Sequence, residues 1–438
     1  MRCDLTGAQM RETPVLDARI LSLAIARMVS ALANSFLVVV LPLYIGSEAV
    51  QLPAATGSTV GAFGVGITLS VELLIAVVLS LFGFFNSLSQ PLTGSFSDRT
   101  GRRKPFLLFG LGLVATGSAG YLVFTDYLLV LAMRGLQGVG AAFSIPIAVA
   151  LVNELSESGE RGNNFGLFNT FRLLGFGTGP LIAGVVVASG PYAVAGLPVS
   201  GFDAAFLVAV VGAAVSFGLV SILITDPEPT ETASEDISIR VRGENGWLDP
   251  VFALALATIV MALSIAVYAP LANVINDRLN QGSFLYSIQF GATVFANVLF
   301  QLPIGRLSDR YGRRPFLIAG FVLLLPTTLA QGLVTSSYAM IAARFLQGLA
   351  VAAVFAPSLA LAGDLAREGA SGSTLSLLTM GFGLGIAFGT LLSGVLVGFG
   401  FVVPFAAATG AGAIGLALTV TQVTEPDSEG SAAAPAVD

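Results

Sequence analysis

Two short basic turns constrain this chain more than anything else in it. The segment from Gly94 to Pro105 reads Gly-Ser-Phe-Ser-Asp-Arg-Thr-Gly-Arg-Arg-Lys-Pro, and 211 residues later Gly305 opens Gly-Arg-Leu-Ser-Asp-Arg-Tyr-Gly-Arg-Arg-Pro, ending at Pro315. Each copy is wedged between long apolar runs. Cations held in a tight turn between two hydrophobic segments mark a loop on the cytoplasmic side of a membrane. Two such loops half a chain apart predict a duplicated bundle of membrane helices.

Composition agrees. Of 438 residues, 55% are hydrophobic and 11% charged, against roughly 25% charged in a soluble domain. Between Gly369 and Thr424 no residue is charged, which leaves room for two membrane helices of about 20 residues each. The net charge of -6 shows no basic face for nucleic acid. The lone Cys3 excludes an intrachain disulfide, and the absence of histidine removes the commonest catalytic base and metal ligand. We therefore expect no metal, no cofactor and no enzyme; a catalytic set or phosphate-binding loop is missing too.

Apolar runs bounded by charges or Gly/Pro clusters place twelve spans near 20–45, 69–93, 105–124, 127–151, 164–189, 202–224, 250–274, 284–304, 315–335, 337–362, 371–397 and 401–423. The expected fold is thus an all-α integral membrane protein with twelve transmembrane helices in two six-helix pseudo-symmetric halves. Residues 1–19 read as a cytosolic tail and not a signal peptide, 20–224 and 250–423 as the halves, 225–249 as an acidic cytoplasmic linker and 424–438 as a second cytosolic tail. With both termini inside, 15 of the 20 cations fall on the cytoplasmic side, Arg278 falls outside, and Arg27, Arg134, Arg172 and Arg344 lie within spans. This asymmetry fixes the expected orientation in a cell membrane. The repeat continues into the spans, because Asp98 maps onto Asp309 at 211 residues, and Arg134 onto Arg344 and Glu154 onto Asp364 at 210.

These motifs resemble those of the major facilitator superfamily over nearly the whole chain outside the tails and linker. Gly94, Asp98, Arg99, Gly101, Arg102 and Arg103 resemble that family's loop signature between spans two and three. Gly305, Asp309, Arg310, Gly312 and Arg313 resemble its counterpart between spans eight and nine. From the residues alone, Gly94 and Gly101 would let helix ends approach and turn, and Asp98 would need a cationic partner at the membrane boundary. The resemblance implies a gating latch that closes the cytoplasmic side, formed by Asp98, Arg102 and Glu154, with a twin in Asp309, Arg313 and Asp364. The alternative is that these arginines only set topology.

Arg134 opens Arg-Gly-Leu-Gln137-Gly-Val-Gly, which resembles a second family signature and implies a cavity or coupling role for Arg134, Gln137 and Arg344. The alternative is an arginine that snorkels to the interface. In span five, Gly175, Gly179 and Pro180 predict close helix packing and a bend. They resemble the glycine-proline signature of exporters that exchange substrate for protons. Further cavity candidates are Asn34, Asn169, Arg172, Tyr268, Gln289 and Asn297, with interhelical packing as the alternative for each; Arg27 and Arg172, two turns from the inner face, read as snorkelling cations.

A proton-coupled carrier usually keeps a buried carboxylate. Only Glu72, near the outer end of span two, is available, so sodium coupling and facilitated diffusion stay open. The resemblance implies a secondary carrier, most simply a monomer in the bilayer, binding a small-molecule substrate and a coupling ion, proton or sodium. Export of amphipathic or drug-like compounds is the leading expectation, and uptake of a sugar, organic anion or other nutrient is the alternative.

Overall fold

The computed structural model describes residues 17–62, 65–156, 161–194, 196–226, 241–243, 247–365, 371–423 and 425. Among the described residues, twelve helices are long and apolar enough to cross a membrane. They are α1 (Ala18–Ile45), α2 (Val71–Thr100), α3 (Lys104–Val123), α4 (Tyr127–Leu155), α5 (Arg161–Ser189), α6 (Gly201–Leu223), α7 (Pro250–Leu279), α8 (Ser283–Tyr311), α9 (Arg314–Leu333), α10 (Ser337–Leu365), α11 (Ser371–Leu396) and α12 (Val403–Gln422).

Local chemistry sets where several of them begin. Asp17, Asp126, Ser200 and Asp249 each accept a backbone N–H of the first turn, at α1, α4, α6 and α7. Pro105, Pro250, Pro315 and Pro404 stand at first or second helical positions, where a missing N–H costs nothing.

The structure shortens the two basic turns. Helix α2 runs on to Thr100 and α3 starts at Lys104, so three residues make the first turn, while only Gly312 and Arg313 separate α8 from α9. Gly101 and Gly312 adopt φ of +62° and +92°, a region L side chains avoid, so glycine there is explained by the turn itself. The close-approach role expected for Gly94 is not found. Gly94 and its counterpart Gly305 are helical, and a Cβ at either would meet open space.

At the opposite end lie two small hairpins, β1 (Thr59–Ala62) with β2 (Val65–Thr68) and β3 (Tyr192–Val194) with β4 (Leu197–Val199). The hydropathy pattern did not foresee them, nor the interruption of α7 by a 3-10 turn at Ala269–Leu271.

How the halves meet differs between the two ends. At the hairpin end one buried core crosses both halves, joining Phe36, Tyr44 and Phe206 to Tyr268, Ile275 and Phe405. At the arginine end each half has its own core, around Leu107 and Leu151 in one and around Phe321 and Leu361 in the other.

The cross-half contacts obey the repeat. Gly184 of α5 packs on Ser287 of α8, and Gly394 of α11 packs on Ala76 of α2; the glycines are 210 residues apart and their partners 211. An amide also crosses, from Asn273 to the Pro42 carbonyl at 3.1 Å. This bond too lies at the hairpin end. The halves thus share a core at the hairpin end and have separate cores at the arginine end.

Candidate functional site

At the arginine end each half ties its own turn down with charge. Arg103 donates through Nη2 and Nε to one oxygen of Glu154, at 2.7 and 3.0 Å, and through Nη1 to Ser97 Oγ at 3.0 Å. In the second half Arg313 meets Asp364 and Asp309, the latter at 3.2 Å.

The partner of Glu154 is therefore Arg103 and not Arg102, which is exposed, as are Arg99 and Arg310. The second turn is one residue shorter, so the 211-residue spacing that relates Gly101 to Gly312 becomes 210 for Arg103 and Arg313, and Arg102 has no counterpart. The side chain of Asp98 lies outside the described residues.

A second tie at this end was not foreseen. Asp226, just beyond α6, accepts from the backbone N–H groups of Arg103 and Lys104 at 2.9 and 2.5 Å, while Lys104 Nζ reaches the Ser221 carbonyl at 2.8 Å. Glu425, just beyond α12, accepts from Arg314 N at 2.5 Å, and the Arg314 side chain reaches the Val420 carbonyl. In each half a carboxylate caps the N-terminus of the third helix, and a cation at that N-terminus meets carbonyls at the C-terminal end of the sixth. Both charges sit where a helix dipole favours them.

Two arginines are fully inside. Arg134 is 2% exposed, donates to Gln137 at 3.0 Å and lies 4.4 Å from the centre of the Phe82 ring. Arg344 is 0% exposed, donates to Gln347 at 2.6 Å and lies 4.1 Å from the Tyr268 ring and 5.7 Å from Phe290. Neither snorkels. The glutamines are held in turn, Gln137 by Tyr121 and Ser118, and Gln347 by Thr328 and the Ser264 carbonyl.

Among the described residues no carboxylate pairs with either arginine. A charge costs roughly 2.5–3.5 kcal/mol at mid-span on insertion scales. Here a charge-assisted hydrogen bond, worth about 1.5–3 kcal/mol, and an aromatic face offset it.

The remaining candidates divide. Tyr268 donates to Gln289 at 2.5 Å and stacks on Tyr286, so both belong to the packing around Arg344. Asn169 accepts from Arg172 Nε at 3.0 Å. The buried Asn34 Oδ1 has no partner, and Asn297 is half-buried. A Cβ at Gly175 would collide with the Met28 carbonyl, and one at Gly179 would lie 2.7 Å from that of Leu32, so this face exists to let α5 touch α1. Pro180 lies inside a continuous helix. Glu72 occupies the first turn of α2.

The family model described as Major Facilitator Superfamily matches residues 23–243 and 254–437. The chain belongs to that superfamily. That superfamily is one of membrane transporters, and the twelve spans make this chain a multi-pass membrane protein.

Among curated relatives, the chain is 28% identical over 178 residues to citrate exporter 1 of Aspergillus niger, an alignment covering 40% of this chain and 31% of the relative. It is 27% identical over 169 residues to the multidrug transporter AQR1 of Candida glabrata, covering 39% and 26%. The chain thus spans about a third or less of the length of these relatives. A solved bacterial homologue of the human lysosomal transporter Spinster, inward-facing and unoccupied, superposes with a TM-score of 0.71 at 13% identity, covering 93% of this chain and 95% of that one. That likeness is one of fold.

Proposed function

We propose that the protein is a secondary carrier working by alternating access, with the arginine end cytoplasmic and both termini on that side. The carrying observation is the contrast between ends: one continuous core joins the halves at the hairpin side, while separate cores leave them apart at the arginine side. A cargo site between the halves is then reached from the cytoplasm, and a carrier turns over by exchanging this arrangement for its opposite. In the opposite arrangement the twin ties around Arg103 and Arg313 would meet, which gives the latch reading of Asp98, Glu154, Asp309 and Asp364 its place.

The cargo would be a small amphipathic molecule, exported in exchange for a cation. Support comes from the glycine-proline segment of α5 and from the two exporter-type relatives. The absence of a mid-span carboxylate favours sodium, or no ion, over a buried proton carrier.

Counterflow in proteoliposomes against a panel of amphipathic compounds, with and without imposed proton or sodium gradients, tests the reading. Saturable, gradient-sensitive exchange supports it. Flux that neither saturates nor responds to the sealed protein overturns it.

A further inference from the structure

The repeat contains two polar pairs that neither the latch nor the buried arginines use. Asn86 and Gln90 of α2 recur 211 residues later as Asn297 and Gln301 of α8. The members of each pair are four residues apart, so their amides neighbour one another on the helix surface. All four side chains are half-buried. Asn86 and Asn297 stand at the middle of Val71–Thr100 and Ser283–Tyr311, about 21 Å from either end by the helical rise.

Helix position decides what these amides face. Leu88 and Leu92 flank Gln90 two residues to either side, and Leu299 stands midway between Asn297 and Gln301; they are 60%, 61% and 49% exposed. Residues two apart in an α-helix point to nearly opposite sides, so the amides turn away from the exposed apolar side. Leu79, seven residues before Asn86, and Phe290, seven before Asn297, are buried, and the asparagines continue those inner stripes.

The glutamines lie at the divide between the halves. Gln90 is seven residues beyond Gly83, where a Cβ would stand 2.9 Å from the Gly383 carbonyl and 3.1 Å from Ala387 of the other half. Gln301 is seven residues beyond Val294, which a Cβ at Gly177 would meet at 3.8 Å. These two crossings are repeat copies, 211 residues apart on α2 and α8 and 210 on α5 and α11. Each glutamine therefore extends a cross-half stripe by two turns towards the arginine end.

Their hydrogen bonding is incomplete. Gln90 donates to Asn86 Oδ1 at 3.3 Å, while the side chains of Asn297 and Gln301 make no hydrogen bond among the described residues. An unpartnered amide at mid-span is costly against hydrocarbon, and a wet space between the halves is where it is tolerated. The arginines of the spans are engaged elsewhere. Arg134, Arg344 and Arg172 donate to Gln137, Gln347 and Asn169, and Arg27 lines a small space enclosed by α1, α3, α4 and α6 of the first half. What the two amide pairs offer is uncharged, one NH2 and one carbonyl from each side chain.

We infer that Asn86, Gln90, Asn297 and Gln301 form a hydrogen-bonding subsite for the neutral, hydroxyl-bearing head of an amphipathic cargo. The NH2 and carbonyl of one amide match two neighbouring hydroxyls, one accepting and one donating. The inference rests on the carrier reading and adds the chemical class of its substrate.

The test uses the full chain in detergent and in proteoliposomes. Phenyl β-D-glucoside is the neutral probe, and phenyl β-D-glucuronide, with a carboxylate where the glucoside has a CH2OH, is the charged control; both cross bilayers slowly. Equilibrium binding and counterflow are measured for the wild type, Gln90→Leu, Gln301→Leu and Gln301→Asn. The wild type should bind the glucoside about tenfold tighter than the glucuronide. Either leucine variant should weaken glucoside binding about tenfold, the worth of one hydrogen bond, and Gln301→Asn should recover part of the loss. The unfolding midpoint of Gln301→Leu should not fall, since that amide has no partner to lose, which separates lost recognition from lost folding.

Glucoside binding that fails to produce counterflow would keep the subsite and overturn the carrier reading. Counterflow of the glucuronide as fast as the glucoside, or glucoside counterflow unchanged in both leucine variants, would overturn the subsite and keep the carrier. Neither binding nor counterflow of either probe would overturn both.

Discussion

The two basic turns share a sequence, yet the first is held far more firmly than the second. In the first, Arg103 and Glu154 keep 11% and 23% of their side chains exposed; in the second, Arg313 keeps 19% while Asp364 and Asp309 keep 49% and 59%. The shorter second turn contains one cation fewer, and its acids stay in water. A duplicated motif therefore does not imply duplicated energetics, because an ion pair's worth depends on how much water its partners give up.

The largest expected effect follows directly. Glu154→Gln removes one of the partners of a nearly buried Arg103 and should cost about 2 kcal/mol, while Asp364→Asn should cost less than about 1 kcal/mol. Thermal unfolding midpoints of the two variants in the same detergent decide it, and equal losses would break the comparison.

The buried arginines sharpen it with a change of sign. Arg344 leaves two buried nitrogens unpartnered and Arg134 leaves one. Exchange for an apolar side chain of similar length should therefore stabilise, by about 1 kcal/mol for Arg344→Met and less for Arg134→Met, while substrate counterflow falls in both. Destabilisation by Arg344→Met would show that Gln347 and Tyr268 more than offset the buried charge.

Smaller again is the effect of the caps. Asp226 accepts two backbone N–H groups and Glu425 one, so Asp226→Asn should cost about 1 kcal/mol and Glu425→Gln about half of that. The smallest difference is one of salt. Raising ionic strength to about 1 M shortens the screening length to roughly 3 Å. The Asp364→Asn loss should then vanish in unfolding measurements, while that of Glu154→Gln persists.

Most of the fold was legible because hydropathy and cation placement act over long stretches. Twelve spans and the two halves needed no side-chain geometry. The sequence could not show that Gly94 to Thr100 continues α2, since a helix leaving the membrane is no longer marked by apolar residues. The pairing of Glu154 with Arg103 rather than Arg102 is a shift of one residue that the run of arginines conceals, because the deletion falls inside it.

Asp226 and Glu425 escaped notice for another reason. Their partners lie 122 and 111 residues away, and only the return of the sixth helix of each half brings them near. One signal was available: each is an acid just after a sixth span. For the buried arginines, a glutamine at three residues' distance was visible in both copies, but the aromatic rings that face them come from other helices.

The central claim is that the contacts of the hairpin side must open during transport. Gly177→Cys with Val294→Cys, in a chain where Cys3 is replaced by serine, places two thiols across the halves beside the shared core, because a Cβ at Gly177 would stand 3.8 Å from the Val294 side chain. Oxidation should join them and stop counterflow, and reduction should restore it. Full counterflow in the cross-linked protein would show that the hairpin side never opens, and would contradict alternating access by these two halves.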